Sequence, residues 1–207
     1  MELSTPRRWR FRGVVGAATI CLAVGCRNSP GPSGRAGASA ANAAPATTTS
    51  NTRGSVQTGF QMSSVTLYQP NEVLQARVPD TRALAAYIQS VTTVCQEHFA
   101  EARTPELLDV VVAIKPGRRA RAWLVSATRT ESEAALDALR RQIEAIRPTD
   151  VREGPVAFAI IGSIAGASRP PFDAAGYEPP MPREWRDAPT TGSEDVVPDD
   201  ILRVIWP

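Results

Sequence analysis

LLDVVVAIK (Leu107–Lys115), PGRR (Pro116–Arg119), ARAWLVSA (Ala120–Ala127), TESEAALDALRRQIEAIRP (Thr130–Pro148) and EGPVAFAII (Glu153–Ile161) follow one another with little between them. They read as strand, turn, strand, helix, strand. Side chains alternate along a strand, so Leu108, Val110, Val112 and Ile114 share one fully apolar face. Leu107, Asp109, Val111, Ala113 and Lys115 make a mixed opposite face. That contrast predicts an antiparallel sheet covered on one side. Lys115-Pro116-Gly117-Arg118 fits a type II turn, because Pro presets φ and Gly accepts φ > 0. On the return strand Trp123 and Val125 share one face, and Ala122 and Leu124 the other.

Thr130-Glu131-Ser132-Glu133 has the pattern of a capping box with Thr130 as cap. Leu136, Leu139, Ile143 and Ile146 then recur at helical spacing, and Pro148 stops the helix. Val156, Phe158 and Ile160 share a face of the third strand. One helix stripe laid on this sheet buries both apolar surfaces, which predicts a small α+β domain over residues 60–168.

Upstream, Pro79-Asp80-Thr81 offers a helix start with Asp80 or Thr81 as cap. Leu84, Tyr87, Ile88, Val91, Val94, Cys95 and Phe99 follow as a wide stripe that fades near Arg103. Between Gln61 and Val78 only short apolar stretches occur, enough for one further strand. Downstream, residues 169–207 hold eight Pro. Such a Pro-rich tail excludes long helix and inner strand over most of its length. Phe172, Tyr177 and Trp185 either pin it to the head or face a partner. Its end, Ile201 to Trp206, is apolar enough to add an edge strand or dock in a groove.

Residues 1–25 read as an export signal. Arg7, Arg8, Arg10 and Arg12 precede an uncharged run of 13 residues, Gly13 to Gly25. A bilayer-spanning helix needs about 20. Residues 26–59 are mostly Ala, Thr, Ser, Asn, Gly and Pro and cannot bury enough surface to order themselves. As a flexible tether they would span roughly 30 Å. Without Arg7, Arg8, Arg10, Arg12 and Glu2 the chain keeps 19 basic and 20 acidic residues, so the formal charge of +2 belongs to the precursor. No basic field for nucleic acid remains.

Ala23-Val24-Gly25-Cys26 resembles the lipobox of bacterial lipoproteins, with Ala23 where that family favours Leu. The resemblance implies cleavage between Gly25 and Cys26 and acylation of Cys26. Arg27 stands where an Asp would retain many such lipoproteins in the inner membrane, which implies the outer membrane. Acylation at Cys26 and removal of Cys21 leave Cys95 as the one thiol of the mature chain, with no internal disulfide.

The order helix, hairpin, helix, strand, with VVVAIKPGRRARAWLVSAT, then Leu136-Asp137-Ala138-Leu139 in LDALRRQIEAIRP, then GPVAFAI, resembles the TonB C-terminal domain family over residues 81–162. The resemblance implies a fold of that kind and partner docking by strand addition at a sheet edge. The third strand and the terminal ILRVIW are the expected edges. A TonB proper carries an amino-terminal membrane helix where this chain resembles a lipid-anchored one, so the resemblance implies the fold more than it implies energy transduction.

Two functions are then in view. One is a non-enzymatic envelope lipoprotein, membrane-bound through Cys26, whose head docks another envelope protein without cofactor or metal. The other is an envelope enzyme or ligand-binding protein with a pocket around Cys95, His98 and Trp123. Cys95 and His98 stand three apart on a helix, a spacing open to metal ligation or to a nucleophile and base. Cys95 also lies on the apolar stripe, where a small buried hydrophobe is expected. No catalytic residue, phosphate-binding loop or closed zinc set is found.

Overall fold

The computed structural model of the chain describes residues 58–126, 131–169, 178–189 and 198–207, all within one compact unit. Cys26, the expected Gly25–Cys26 cleavage site, most of the expected tether, Thr130, Phe172 and Tyr177 lie outside the described residues. In chain order the elements are β1 (Phe60–Leu67), α1 (Asn71–Arg77), α2 (Thr81–His98), β2 (Glu106–Lys115), β3 (Arg119–Ser126), α3 (Glu133–Ala145), β4 (Val156–Ile164), α4 (Arg183–Arg186) and α5 (Pro198–Ile205). The fold is α+β. Its sheet is antiparallel, with strand order β1-β4-β2-β3.

The hairpin forms where the sequence places it, from Leu108↔Ser126 to Lys115↔Arg119. Its loop is three residues, Pro116 to Arg118, one longer than the centre of the expected turn. Gly117 and Arg118 both take positive φ, 84° and 57°. α2 is capped by Asp80, whose carboxylate accepts the N–H groups of Arg82 and Ala83 at 2.9 and 3.1 Å. This helix ends at His98, a turn before the apolar stripe fades. α3 is capped by Ser132, whose hydroxyl oxygen accepts the N–H of Ala135. The cap thus lies two residues beyond the expected Thr130.

α2 lies against β1, α3 against β3, and the helices touch each other. They cover the face of Leu108, Val110, Val112, Ile114, Phe158 and Ile160, all fully buried together with Leu139 and Ile143 of α3. Each such aliphatic side chain contributes about 1.5–3 kcal/mol of transfer free energy.

Expectation and structure part company on the sheet's other face. That face is closed as well, not open to water. Val111, Ala113, Trp123, Ala157, Ala159 and Ile161 form a second core with Trp185, Ile201 and Leu202 from the Pro-rich segment. The apolar end of the chain is helix α5, not an added strand. Pro198 with Asp199 and Asp200 starts it, as a fixed φ and acidic groups favour at a helix N-terminus.

One element goes beyond the sequence reading, and the further strand expected after Gln61 is β1. α1 is a seven-residue helix, too short to declare a period. β1 breaks its alternation with a bulge between Met62 and Ser64. The extra residue lets Phe60, Met62, Val65 and Leu67 all pack against the first core despite their uneven spacing.

Candidate functional site

Both sheet edges differ from those the sequence suggested. β4, the third strand of the central run, pairs with β1 on one side and β2 on the other, so it has no free edge. The terminal ILRVIW is folded onto its own chain as α5. Among the described residues the edges are β1 and β3.

β3 is blunted. Its Ala122 N–H, which points away from β2, donates to Glu144 Oε1 of α3 at 3.1 Å. Arg121 and Trp123 are tied to the C-terminal segment: Arg121 Nη2 and Trp123 Nε1 each donate to Glu184 Oε2 at 2.9 Å. Arg121 Nη1 also donates to the Ile205 carbonyl at 2.9 Å. Such side-chain caps are how native sheets prevent unwanted pairing.

β1 is different. Among the described residues no strand pairs with its outer side. The Tyr68 N–H donates inward to the Ala157 carbonyl at 3.1 Å, so alternation turns the N–H groups of Val65 and Leu67 outward. Met62, Val65 and Leu67 are half-buried, while Gln61, Ser63 and Ser64 are exposed. The bulge is pinned by Ser63, whose hydroxyl donates to the Ile161 carbonyl at 3.0 Å. This edge offers a short run of backbone donors and acceptors beside a modest apolar strip. An extended peptide could pair there, and the bulge limits how long a pairing runs.

The C-terminal segment is held by a clamp that the sequence did not announce. Arg77, at the end of α1, makes a two-pronged ion pair with Asp199 of α5, at 2.8 and 2.6 Å. Its guanidinium also donates to the Pro155 carbonyl. Arg77 is raised above its ordinary pKa, first by the Asp199 hydrogen bond. At the other end of the sheet, Arg169 pairs with Asp109 of β2. Burial raises the Asp109 pKa, and the Arg169 charge opposes that. The helix-start signature of Pro198-Asp199-Asp200 was the one local sign of α5; nothing local linked Arg77 to it.

Cys95, His98 and Trp123 are not brought together. Cys95 is fully buried in the first core, and Trp123 belongs to the second, across the sheet. The half-buried His98 ring meets Phe99 edge-on at 4.8 Å. Burial pushes the Cys95 thiol up to about 12. A nucleophilic thiolate needs the opposite environment. Cys95 will therefore react with an aromatic disulfide reagent at least about a hundredfold more slowly in the native protein than after denaturation. Burial likewise raises Tyr87 to about 12. Unfolded thiol and phenol ionise first as pH rises, so stability will fall from about pH 9 towards 12, as alkaline denaturation curves would show.

Among the described residues there is no group of three or more His, Cys, Asp or Glu able to hold a metal ion. Among them, too, no helix is long and apolar enough to cross a membrane. Comparisons of the chain with protein-family models, curated proteins and solved structures found no match.

Proposed function

We propose that this chain is an envelope lipoprotein, acylated at Cys26 and held at the outer membrane on its periplasmic side. Its α+β head docks an envelope protein by strand addition along β1. The observation that carries docking is the outer side of β1, with which no strand pairs among the described residues, set against a β3 edge closed by Glu144. The lipobox-like Ala23-Val24-Gly25-Cys26 and the basic, apolar leader support the anchor. Several acyl chains give stable attachment where one gives marginal binding. β1 begins at Phe60, directly after the tether of residues 26–59, so the docking strand is the first described element after the anchor.

Two measurements test this reading separately. Mass spectrometry of protein extracted from membranes should find an acylated amino terminus at Cys26; an unmodified terminus elsewhere defeats the anchor. For docking, a photo-crosslinker at Gln61 or Ser64, both exposed, should capture one envelope protein in cells. Val65→Pro removes an outward N–H from an edge strand, where Pro is tolerated. It should abolish that capture while leaving the thermal midpoint within a few degrees of the parent. Capture unaffected by Val65→Pro would move the docking surface off β1.

A further inference from the structure

The hairpin tip between β2 and β3 has no part in the β1 docking edge. Lys115, the chain's only lysine, lies here with Arg118 and Arg119. Arg118 and Arg119 are exposed. None of the three has a carboxylate within ion-pair distance among the described residues, whereas the neighbouring Arg121 is paired with Glu184. The Trp206 ring sits among these charges, 4.9 Å from Lys115 Nζ and 5.7 Å from the Arg119 guanidinium. Lys115 also donates to the Trp206 carbonyl. Trp206 is half-buried, and two residues before it, on α5, lies Val204, the one exposed large hydrophobic side chain among the described residues.

Backbone conformation at the tip gives a second, independent sign. Arg118 adopts φ 57°, a left-handed position where Gly or Asn fits with least strain. The turn accepts that strain and keeps a cation at its apex. Burial lowers the Lys115 pKa and the Arg119 charge lowers it further, as expected where positive charge goes uncompensated.

We infer that the hairpin tip is a membrane-surface contact, in which Lys115, Arg118 and Arg119 meet lipid phosphates while Trp206 enters the headgroup layer. Basic residues near an anionic leaflet attract it, and Trp prefers the membrane–water interface. The occupant is an anionic bilayer surface, because a tether of residues 26–59 would keep the head within roughly 30 Å of one. A contact weakened by physiological salt is then still occupied through effective concentration. The inference rests on the anchor reading for that proximity alone.

The test needs no acylation, so its failure is separable from failure of the anchor. The chain from residue 26 onward, with Cys26→Ser, retains both cores and is titrated at low salt with vesicles of brominated phosphatidylglycerol or brominated phosphatidylcholine. Tryptophan emission should be quenched by the anionic vesicles alone, and less as salt rises. Trp206→Phe should remove the quenching, since Trp123 and Trp185 are buried. Arg118→Glu with Arg119→Glu, both exposed and outside the cores, should raise the lipid needed for half-quenching by at least about twentyfold. Circular dichroism of this variant should match the parent. Equal quenching by both lipids, quenching that survives the charge reversal, or no quenching at all would overturn the inference. A Trp206 response to soluble anionic peptidoglycan fragments but not to vesicles would reassign the tip to the glycan and overturn it too.

Discussion

Trp185→Ala is expected to lower the free energy of unfolding by about 3–5 kcal/mol, the cost of truncating a large aromatic in a packed core. Trp185 is completely buried. Its ring lies 5.3 Å from Tyr68, tilted by 53°, and 5.3 Å from Trp123 at 81°, an edge-to-face contact. The three rings form an aromatic layer over the second face, with Ile201 and Leu202 beside it. Polar atoms at its margin are arranged around this packing. The Tyr68 hydroxyl donates to the Pro180 carbonyl, and Trp123 Nε1 donates to Glu184, next to Trp185 in sequence. Removing the ring leaves a cavity under α4 and loosens the grip of Glu184 on β3. Denaturant unfolding would measure the loss, and Trp123 emission should shift to the red as its cover weakens. Trp185→Phe should cost clearly less. It keeps an aromatic ring and removes an indole N–H that is buried without a partner among the described residues. A buried unpaired donor carries a penalty of about 1–3 kcal/mol. Wild-type stability in Trp185→Ala would mean that the C-terminal segment does not hold the second face closed.

Gly162→Ala probes the opposite side of the sheet and the hold on β1, the proposed docking strand. An ideal Cβ at Gly162 would stand 2.2 Å from Phe60 Cζ, 2.3 Å from Phe60 Cε2 and 3.2 Å from the Gln61 carbonyl oxygen. The Phe60 ring therefore lies on the glycine and fills the space of its absent side chain. Adding the methyl drives the ring away, an overpacking cost of about 1–3 kcal/mol. Phe60, only 3% exposed, anchors the start of β1 in the first core. Phe60→Ala alone should cost about 3–5 kcal/mol. In the double variant the methyl enters space the ring has left, so the combined loss should fall short of the sum by at least about 1 kcal/mol. Additive losses would refute the stacking. Amide exchange adds the functional reading: Gly162→Ala should speed exchange in β1 well before it does so in β2, because β1 is held by one neighbouring strand.

Much of the architecture was legible in local pattern. β2, β3 and β4 show the period of strands, α2 and α3 that of helices, and caps and prolines mark their ends. Each records one fact, the burial of a face, and burial acts on every residue of that face. Coverage of the second face also left a trace. Val111, Ala113, Ala157 and Ala159 are apolar where a one-sided sheet would carry polar groups, as strands buried on both faces do. β1 was blurred because its bulge adds a residue in mid-strand and shifts the alternation after it. α1 spans too few residues for a period to show.

The edge strands and the seat of Trp206 at the basic hairpin tip belong to a different order of information. Composition and spacing by themselves determined a small α+β head and a Cys95 that packs like a hydrophobe. Tertiary structure decided that β4 is central, that β1 and β3 are the rims, that Glu144 closes one of them, and that Trp206 settles among Lys115 and Arg119. The physical reason is range. A strand's side chains report what lies above and below it, through contacts made every second residue. Its lateral neighbours are chosen by backbone hydrogen bonds, which all residues but proline form alike and which side-chain identity scarcely encodes.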